Sequence, residues 1–266
     1  MSLAAAEREQ ARRVALEAAR AAGEILLASF EHLDPTRIGA KSAARDLVTE
    51  ADLASERCLV ERLRAAFPRH AIEAEEAVRD EPSDAPRWFL DPLDGTVNFV
   101  HGLPSFAVSL GLWADGAPEV AVVHAPRLAE TFHAVRAGGA FLGERRLAVS
   151  RASTLAESVL ATGFPYRRAD PRTNNVANFT ALILEVRDLR RLGSAALDLA
   201  YVAAGRFDGY WELGLAPHDV AAGALLVREA GGRVSDLAGG EDWLRGGQVA
   251  AAGPGLHTTL LQRLRR

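Results

Sequence analysis

The sequence predicts an α+β protein in which helices cover β-sheets. Three observations indicate this class: apolar residues at helical spacing near the N-terminus, alternating or continuous apolar runs through the middle, and short strand-like and helical segments that alternate towards the end. The chain has 266 residues, 48% of them hydrophobic, and a core of this size commonly divides into two. We therefore predict an N-terminal α+β half over residues 1–150 and a C-terminal α/β half over residues 151–266.

The first half is predicted to consist of helices packed on an antiparallel sheet. Apolar positions recur at helical spacing over residues 3–30, and a second helix is predicted over residues 49–67, where Pro68 ends it. Within residues 88–150, the runs SFAVSLGLW, EVAVVHA and ETFHAVRA are separated by the turn-forming segments ADGAP and AGG. These runs predict antiparallel strands joined by turns.

The second half is predicted to alternate strands and helices. Five short strand candidates follow residue 150, namely ESVLATGF, DLRRLG, FDGYWEL, GRVSD and QVAAAG. Three helical segments lie among them: NNVANFTALILEV, SAALDLAYVAAG and VAAGALLVREAGG. This alternation is typical of an α/β layer.

Composition and charge argue against several classes of partner. The net charge of −4 and the isoelectric point near 6 provide no electrostatic basis for binding nucleic acid. No apolar stretch is long enough to cross a membrane, and the charged first residues lack the features of a secretion signal. Cys58 is the only cysteine, so no internal disulfide forms and a reducing compartment fits. The sequence therefore predicts a soluble, cytoplasmic protein without a membrane or nucleic-acid partner.

Lys41 is a candidate functional residue because it is the only lysine in a chain with 31 basic residues. A lysine ammonium is a compact charge that an arginine guanidinium does not reproduce. A lone lysine in an otherwise arginine-based sequence therefore indicates a site that needs the ammonium.

Acidic residues occur at the ends of several predicted elements. Asp91 and Asp94 follow the buried run WFL, and two carboxylates so close raise each other's pKa unless a cation lies between them. A solvated turn is the alternative interpretation, because Asp, Pro and Gly are common turn residues. Asp219 precedes the apolar helix VAAGALLV, where it would serve as an N-cap. The full set of acidic candidates is Asp46, Glu75, Glu76, Asp91, Asp94 and Asp219.

These carboxylates predict metal chemistry if folding brings them together. An oxygen-only site suits Mg²⁺, and no cluster of His and Cys offers a zinc site instead. If Gly95 and Thr96 begin a helical turn, their amides point outwards to a phosphate oxygen, and glycine lets the backbone come close to the ligand. Metals beside an anion-binding turn are what phosphate ester hydrolysis requires. The residues alone thus predict a metal-dependent phosphatase.

Two long motifs resemble the signatures of the inositol monophosphatase family. WFLDPLDGTVNFVHGLPSFAVSLGL is similar to the first signature and HDVAAGALLVREAGG to the second. The intervals contain KSAARDLVTEAD, AEEA, ATGFPY and RRLGSAALDLAYVAAGRFDGYWELGL in the expected order. The resemblance implies a layered αβαβα sandwich of the inositol monophosphatase and fructose-1,6-bisphosphatase type, two to three Mg²⁺ ions, inhibition by Li⁺ and a homodimer.

The resemblance also implies roles for individual residues. Asp91 would bridge the first two metal ions, and a third, weaker ion would touch Glu75 through waters. The implied ligands of the first ion are Glu75, Asp91 and the backbone carbonyl of Leu93, and those of the second ion are Asp91, Asp94 and Asp219. The implied catalytic residues, which orient the attacking water or support it, are Asp46, Thr96, Glu76 and Lys41. The implied contacts to the phosphate and to substrate hydroxyls come from Asp94, Gly95, Thr96, Ser194, Ala195 and Glu212.

Two departures from the family pattern leave alternatives open. His218 stands where the family usually has Trp, and it is either a packing substitution or a titratable group near the metals. EAEEA replaces the commoner aliphatic-Gly-Glu-Glu pattern, so Glu73 competes with Glu75 as the metal ligand. We retain Glu75 because its position relative to His70 and to the following strand matches the family.

The residues after DGT indicate the substrate. VNF resembles the inositol phosphatases, whereas nucleotidases that remove a 3′-phosphate more often carry a Lys-Glu-Phe-like stretch, so the predicted substrate is myo-inositol 1-phosphate. Histidinol phosphate, fructose 1,6-bisphosphate, other sugar phosphates, glycerol 2-phosphate and 3′-phosphonucleotides stay as alternatives, because few contacts around Glu212 select among them. A protein-binding regulator of transcription is the alternative from another class. Such a binder has no need of the carboxylate set.

Overall fold

The protein is described here by a computed structural model that covers residues 3–30, 32, 38–40, 47–166, 169–170 and 173–264. The elements up to residue 150 are α1 (Ala5–Phe30), β1 (Ile38–Ala40), β2 (Leu47–Thr49), α2 (Glu50–Ala66), β3 (Ala71–Ala74), β4 (Arg87–Asp94), α3 (Thr96–Val100), β5 (Ala107–Ala114), β6 (Ala117–Ala125), β7 (Glu130–Val135), β8 (Gly139–Leu142) and β9 (Arg145–Arg146). The later elements are β10 (Val159–Thr162), α4 (Val176–Ile183), β11 (Asp188–Arg190), α5 (Ala195–Ala203), β12 (Gly209–Leu213), α6 (Pro217–Glu229), β13 (Arg233–Ser235), β14 (Gln248–Ala252) and α7 (His257–Leu264).

These elements stack in five layers. Helices α1 and α2 cover one face of a seven-stranded sheet, ordered β3-β4-β5-β6-β7-β8-β9, and share a buried core with it. Helices α5 and α6 lie between this sheet and a five-stranded sheet, ordered β11-β10-β12-β14-β13. Helices α4 and α7 cover the outer face of the smaller sheet. The predicted αβαβα sandwich is therefore confirmed.

The seven-stranded sheet follows from the alternation of side chains along its strands. Strands β4 to β9 pair antiparallel, as the sequence predicts, and only the edge pair β3 and β4 is parallel within this described sheet. Along β4, Trp88 packs against the outer helices while Phe89 packs into the central layer. Successive side chains of a strand point to opposite faces, so this one strand joins two cores.

Helix α6 is buried in the central layer because small residues allow close contact on both sides. A Cβ atom at Gly111 of β5 would lie 2.8 Å from the Ala221 side chain. A Cβ atom at Gly223 would lie 2.5 Å from Leu199 of α5. Such distances are too short for real Cβ contacts, so glycine is required at both positions for this packing. The first turn of α6, which carries Asp219, is thereby held against the end of the large sheet.

The central core contains residues from both predicted halves, from Phe89 to Ala251. This arrangement follows from the position of α5 and α6 between the sheets. The division at residue 150 stays a prediction. None of the helices in the described part of the chain combines the length and the apolarity that a membrane crossing requires.

Several sequence expectations are confirmed and one is wrong. The helices predicted over residues 3–30 and 49–67 form as α1 and α2, and the strand and helix candidates of the second half form in the predicted order. The expectation that Asp219 is an N-cap is wrong, because α6 begins at Pro217 and Ala216 is its N-cap. Proline at the first helical position fixes a helical φ without losing a needed donor. Asp219 therefore lies inside the first turn, where its Oδ2 accepts the Ala216 amide at 2.6 Å.

Candidate active site

Four carboxylates meet where β3, β4 and α6 come together. One group consists of Asp91, Asp94 and Asp219, whose ligand oxygens lie within 4.8 Å of one another. A second group consists of Glu75, Asp91 and His218, again with ligand atoms within 4.8 Å. Asp91 belongs to both groups. The structure thus brings together the four carboxylates that the sequence selects as metal ligands, with His218 beside them.

Burial and mutual repulsion raise the pKa values of the central carboxyls. The pKa of Asp91 lies well above its ordinary value because the group is buried and faces Glu75, Asp94 and Asp219. Burial, followed by the charge of Asp219, raises the pKa of Asp94 to about 8, although hydrogen bonds from Ser194 and Ala196 act in the opposite direction. A bound cation would remove this repulsion. The buried, oxygen-rich donor set therefore fits a divalent metal of the Mg²⁺ type.

A bulge at the end of β4 sets the positions of Asp91 and Asp94. The pairing register of β4 with β5 shifts between these two residues, and bulges re-aim side chains at strand ends. The amide of Leu93 donates to Asp91 Oδ1 at 3.0 Å. The Ser55 hydroxyl of α2 donates to the Pro92 carbonyl at 2.8 Å. The bulge is thus held by its own aspartate and by the neighbouring helix.

The turn after the bulge requires glycine. Gly95 has a φ of 101° and precedes α3, so the helical turn predicted at Gly95 and Thr96 is present. A Cβ atom at Gly95 would lie 2.9 Å from the Ser105 carbonyl oxygen, and side chains rarely adopt this backbone conformation. The predicted role of the Gly95 and Thr96 amides in binding phosphate stays a prediction.

Thr96 is hydrogen-bonded to an aspartate that the sequence reasoning missed. Its hydroxyl lies 3.2 Å from Asp52 Oδ1 and 3.2 Å from the Leu93 carbonyl oxygen. Asp52 is buried, and its Oδ2 accepts the Thr49 amide in a capping box at the start of α2. The Thr-x-x-Asp spacing was the available signal, but it predicts a helix start rather than a partner for Thr96.

Two predicted catalytic residues cannot be placed. Lys41 and Asp46 lie outside the described residues. Glu76 is described, and it follows Glu75 directly without belonging to either carboxylate group. The catalytic roles of all three stay predictions.

One face of α2 contacts three parts of the site. Asp52, Ser55 and Glu56 are spaced as neighbours on a helix surface. The Glu56 carboxylate accepts the amides of Glu76, Ala77 and Val78 at 2.8, 2.9 and 3.0 Å. Asp52 reaches the Thr96 hydroxyl, and Ser55 reaches the β4 bulge. Helix α2 therefore positions the segment that carries Glu75 as well as the bulge and the turn.

The competing candidate Glu73 lies elsewhere. Its carboxylate receives two hydrogen bonds from the Arg245 guanidinium, at 2.8 and 3.2 Å, and lies 3.8 Å from Arg87. It belongs to neither group of potential metal ligands among the described residues. Glu75 is therefore the glutamate of the carboxylate site in this structure.

A cavity of about 80 Å³ opens beside the carboxylates. Its lining includes the predicted substrate contacts Asp94, Ser194, Ala195 and Glu212, together with Asp219. The Ser194 hydroxyl and the Ala196 amide both donate to Asp94 Oδ2 at 2.7 Å. Ser194 thus aligns Asp94 from the start of α5.

Glu212 is held in the cavity wall by two neighbours. The Tyr210 hydroxyl donates to Glu212 Oε2 at 2.5 Å. A Cβ atom at Gly163 would lie 2.0 Å from the same oxygen, so glycine leaves the space that the carboxylate occupies. The Asn175 side chain donates to the Gly163 carbonyl at 2.6 Å and fixes that backbone. The position of Glu212 therefore depends on β10 and the loop after it as well as on β12.

Arg191 lines the cavity and is a second residue that the sequence reasoning missed. It lines the cavity with Tyr166, and its guanidinium fills the space where a Cβ atom of Gly193 would lie, at 2.1 Å. The signal was the RRLG stretch at the start of the α5 motif, which indicates a strand and a turn but no side-chain direction.

The five-layered fold and the carboxylate cluster at the end of β4 define a class of metal-dependent phosphatase-like proteins. A profile of the inositol monophosphatase family matches residues 7–266, and the chain belongs to this family. The family predicted from the sequence motifs is therefore confirmed.

Several relatives and solved structures are similar along nearly the whole chain. "Nus factor SuhB" of Pseudomonas aeruginosa is 48% identical over 243 residues, which cover 90% of this chain and 89% of that protein. The structure of extragenic suppressor protein suhB from Bartonella henselae has a TM-score of 0.91 at 38% identity and covers 96% of this chain and 98% of its own. Inositol monophosphatase from Anabaena (Nostoc) sp. PCC 7120 has a TM-score of 0.87 at 40% identity, with coverage of 96% and 95%.

Proposed function

We propose that the protein is a Mg²⁺-dependent phosphomonoesterase that hydrolyses myo-inositol 1-phosphate, or a similar polyol or sugar phosphate, to the alcohol and phosphate. The observation that carries this proposal is the group of Asp91, Asp94 and Asp219 beside a cavity that also contains Glu212. Bound Mg²⁺ would neutralise phosphate charge, lower the pKa of a water molecule and stabilise the leaving oxygen. The assignment of inositol 1-phosphate draws on the motif resemblance and on the Anabaena inositol monophosphatase as a structural relative.

The carboxylates hold the metal ions in this proposal, with Asp91 shared between two of them. Glu75, Asp91 and the Leu93 carbonyl would hold the first ion, and Asp91, Asp94 and Asp219 would hold the second. Two to three ions are proposed, as the resemblance implies. Because Asp91 and Asp94 are buried, their charges are favourable only when a cation replaces the protons that their raised pKa values retain.

Thr96 and its neighbours orient the attacking water. The Thr96 hydroxyl carries one proton and has two acceptors within reach, Asp52 and the Leu93 carbonyl. Its proton is therefore directed away from the water, and its lone pairs stay available to accept a hydrogen bond from it. Asp46 is proposed as the second acceptor, with Glu76 and Lys41 in support.

The cavity wall binds the alcohol part of the substrate. The Glu212 carboxylate accepts a hydrogen bond from a substrate hydroxyl, and the backbone near Ser194 and Ala195 meets a neighbouring one. Gly95 and Thr96 bind the phosphate through their amides. This arrangement favours substrates that carry hydroxyls close to the phosphate ester.

A phosphate-release assay tests the proposal. The purified protein is incubated with Mg²⁺ and a panel of myo-inositol 1-phosphate, histidinol phosphate, fructose 1,6-bisphosphate, glycerol 2-phosphate and a 3′-phosphonucleotide. The expected result is the highest kcat/KM on inositol 1-phosphate, inhibition by Li⁺ and loss of turnover in Asp91→Asn. Absence of release from every substrate at saturating Mg²⁺ would contradict the proposal, and a preference for another substrate would reassign it within the class.

We further propose that the protein is a cytoplasmic homodimer. The single cysteine supports a reducing compartment. The family resemblance supports the homodimer. Light scattering on the purified protein measures its mass, for which twice the 28.4 kDa of one chain is expected.

A second candidate function is regulation of transcription through protein binding. The 48% identity to a protein named "Nus factor SuhB" favours it. We propose this role as an addition to catalysis, because the complete carboxylate site is present. Binding of purified RNA polymerase by wild type and by Asp91→Asn tests the role. Equal binding by both proteins is expected, whereas no binding by wild type would remove this candidate.

A further inference from the structure

We propose that His218 is a ligand of the first metal ion and that its imidazole makes this site prefer transition-metal dications such as Mn²⁺ more than an all-oxygen site would. The inference deepens the proposed function and rests on the metal site assigned there. The chain has histidine where the family usually has tryptophan. Tryptophan offers only an N–H donor and no lone pair to a metal, whereas neutral histidine offers one.

The position of the ring carries the proposal. A ring nitrogen of His218 lies within 4.8 Å of ligand oxygens of both Glu75 and Asp91, the two carboxylates proposed for the first metal. Its Nε2 is 3.8 Å from Asp219 Oδ1. The residue is 8% exposed. The imidazole therefore lies among carboxylates, a setting that suits a metal ligand better than an apolar replacement for a tryptophan.

The backbone of His218 is held by two neighbouring elements. It is the second residue of α6, directly after Pro217. Ser109 of β5 donates its hydroxyl to the His218 carbonyl at 3.4 Å, and Gly111 of the same strand allows α6 to pack closely. A ligand on a rigid helix turn loses little freedom when a metal binds, which favours ligation.

The chemistry of the ligand atoms determines which metal ion binds more tightly when His218 is a ligand. Mg²⁺ prefers oxygen ligands, while imidazole nitrogen suits transition metals. A site of two carboxylates and one imidazole therefore binds Mn²⁺ more tightly relative to Mg²⁺ than the same site without the ring. The alternative is that His218 only packs beside Asp219, whose Oδ1 lies 3.8 Å from its Nε2, and that neither of its nitrogens touches a metal.

Pulsed electron paramagnetic resonance on the Mn²⁺-loaded protein shows whether His218 is a metal ligand or only a neighbour of Asp219. A nitrogen directly bound to Mn²⁺ modulates the electron spin echo. We expect this ¹⁴N modulation in wild type and in the control His101→Ala, which removes an exposed histidine, and its loss in His218→Trp. Absence of ¹⁴N modulation in Mn²⁺-loaded wild type, or its persistence in His218→Trp, would overturn the proposal. If His218→Trp does not fold, His218→Asn takes its place, and the wild-type spectrum is decisive by itself.

Calorimetric titration of the same proteins measures the metal preference. In His218→Trp, Mn²⁺ affinity should fall about tenfold or more, the size of loss seen when even the hydrogen-bond partner of a metal ligand is removed. Mg²⁺ affinity should change much less, and equal losses for both metals would contradict the assigned preference. Failure of wild type to bind either metal and to release phosphate would refute the proposed function itself. Mn²⁺ binding and phosphate release without ¹⁴N modulation would refute only the role of His218.

Discussion

The carboxylate of Glu56 accepts the backbone amide of Glu76 at 2.8 Å, and two further amides follow at Ala77 and Val78. Glu56 is buried in α2, and the segment it binds begins directly after the metal-ligand candidate Glu75. A charged acceptor shared by three amides is a strong local anchor. The position of Glu75 therefore depends on a residue that belongs to neither group of potential metal ligands among the described residues.

Glu56→Gln should weaken metal binding without changing the ligands. Glutamine keeps one acceptor oxygen but turns an NH₂ group towards the amides, so at least one of the three hydrogen bonds is lost. Hydrogen bonds to a charged group contribute roughly 1.5 to 3 kcal/mol, and we expect the free energy of unfolding to fall by about that amount. Calorimetry should show a Mg²⁺ affinity about tenfold lower, comparable to other losses of ligand orientation.

The matched control is Glu61→Gln, which removes an exposed carboxylate from the same helix. It should leave Mg²⁺ affinity and stability close to wild type. If Glu56→Gln binds Mg²⁺ as tightly as this control does, the anchor has no influence on Glu75.

Asp52→Asn should slow turnover through Thr96. The variant keeps the size of the side chain and removes the charge that holds the Thr96 hydroxyl at 3.2 Å. We expect kcat to fall about tenfold with little change in KM, because the contact concerns the orientation of the water rather than substrate binding. The capping box at Thr49 is also weakened, so stability should fall by about 1 kcal/mol.

A double-mutant cycle separates these two effects. Thr96→Val removes the hydroxyl, and after this change the Asp52→Asn substitution should cost stability but little further kcat. Residues that act through one contact show such non-additive effects. Additive losses in kcat would mean that Asp52 influences the site by another route.

Asp94 should make the metal-free protein less stable as the pH rises. Its pKa is raised to about 8 in the folded protein from an ordinary value of 3.8, so the folded state retains a proton that the unfolded state has released. The stabilising contribution of this proton is fully present below about pH 4 and is lost as the pH rises through 8. We therefore compare melting temperatures in excess chelator. The melting temperature of Asp94→Asn minus that of wild type should increase steadily between about pH 5 and pH 8.

Added Mg²⁺ should reverse that comparison. The metal replaces the proton on Asp94, so wild type gains more stability from Mg²⁺ than Asp94→Asn does, and gains more at pH 8 than at pH 6. Thermal unfolding at several pH values with chelator or Mg²⁺ measures both effects. A pH-independent difference between the two proteins in chelator would show that Asp94 is not protonated in the folded state.

Local patterns predict most elements and the acidic residues that form the carboxylate cluster, whereas the positioning contacts require the three-dimensional structure. Asp91, Asp94 and Asp219 lie next to apolar runs with clear periodicity, so the sequence predicts both their elements and their position at element ends. The Thr96 to Asp52 contact spans 44 residues and the Arg245 to Glu73 pair spans 172. No periodic pattern encodes such a pairing, because it depends on how distant elements pack.

Three short elements were not predicted, because their sequences are too short to show a pattern or because they depend on packing. Strands β1 and β2 have three residues each, and α7 has eight. Three residues are too few to show alternation, and the buried residues of α7 gain their stability from packing against the small sheet and α4. The Asp219 N-cap was mispredicted because an acidic residue before an apolar run fits both the N-cap and the third helical position, and only Pro217 distinguishes them.

Glu212 should govern substrate choice more than catalysis. It lines the cavity but belongs to neither group of potential metal ligands in the described part of the chain. Glu212→Gln removes the charge that strengthens a hydrogen bond from a substrate hydroxyl, an interaction worth roughly 1.5 to 3 kcal/mol. The expected loss is about tenfold to a hundredfold in kcat/KM on myo-inositol 1-phosphate. On p-nitrophenyl phosphate, which has no ring hydroxyls, the loss should be much smaller.

Gly163→Ala tests the same part of the cavity wall without replacing Glu212. The added Cβ atom would lie 2.0 Å from Glu212 Oε2, so the glutamate must leave the position that Tyr210 holds. We expect the loss on inositol 1-phosphate to resemble that of Glu212→Gln, and the double variant to be no worse than either single one, since both changes remove the same contact. Gly255→Ala is the matched control, because its Cβ atom would lie 3.4 Å from the nearest neighbour, an ordinary contact distance, and its φ is not in the left-handed region. Equal losses on inositol 1-phosphate and p-nitrophenyl phosphate would show that Glu212 supports the metal ions or the fold instead of binding substrate hydroxyls. The residues that contact the substrate would then lie nearer Ser194 and Arg191.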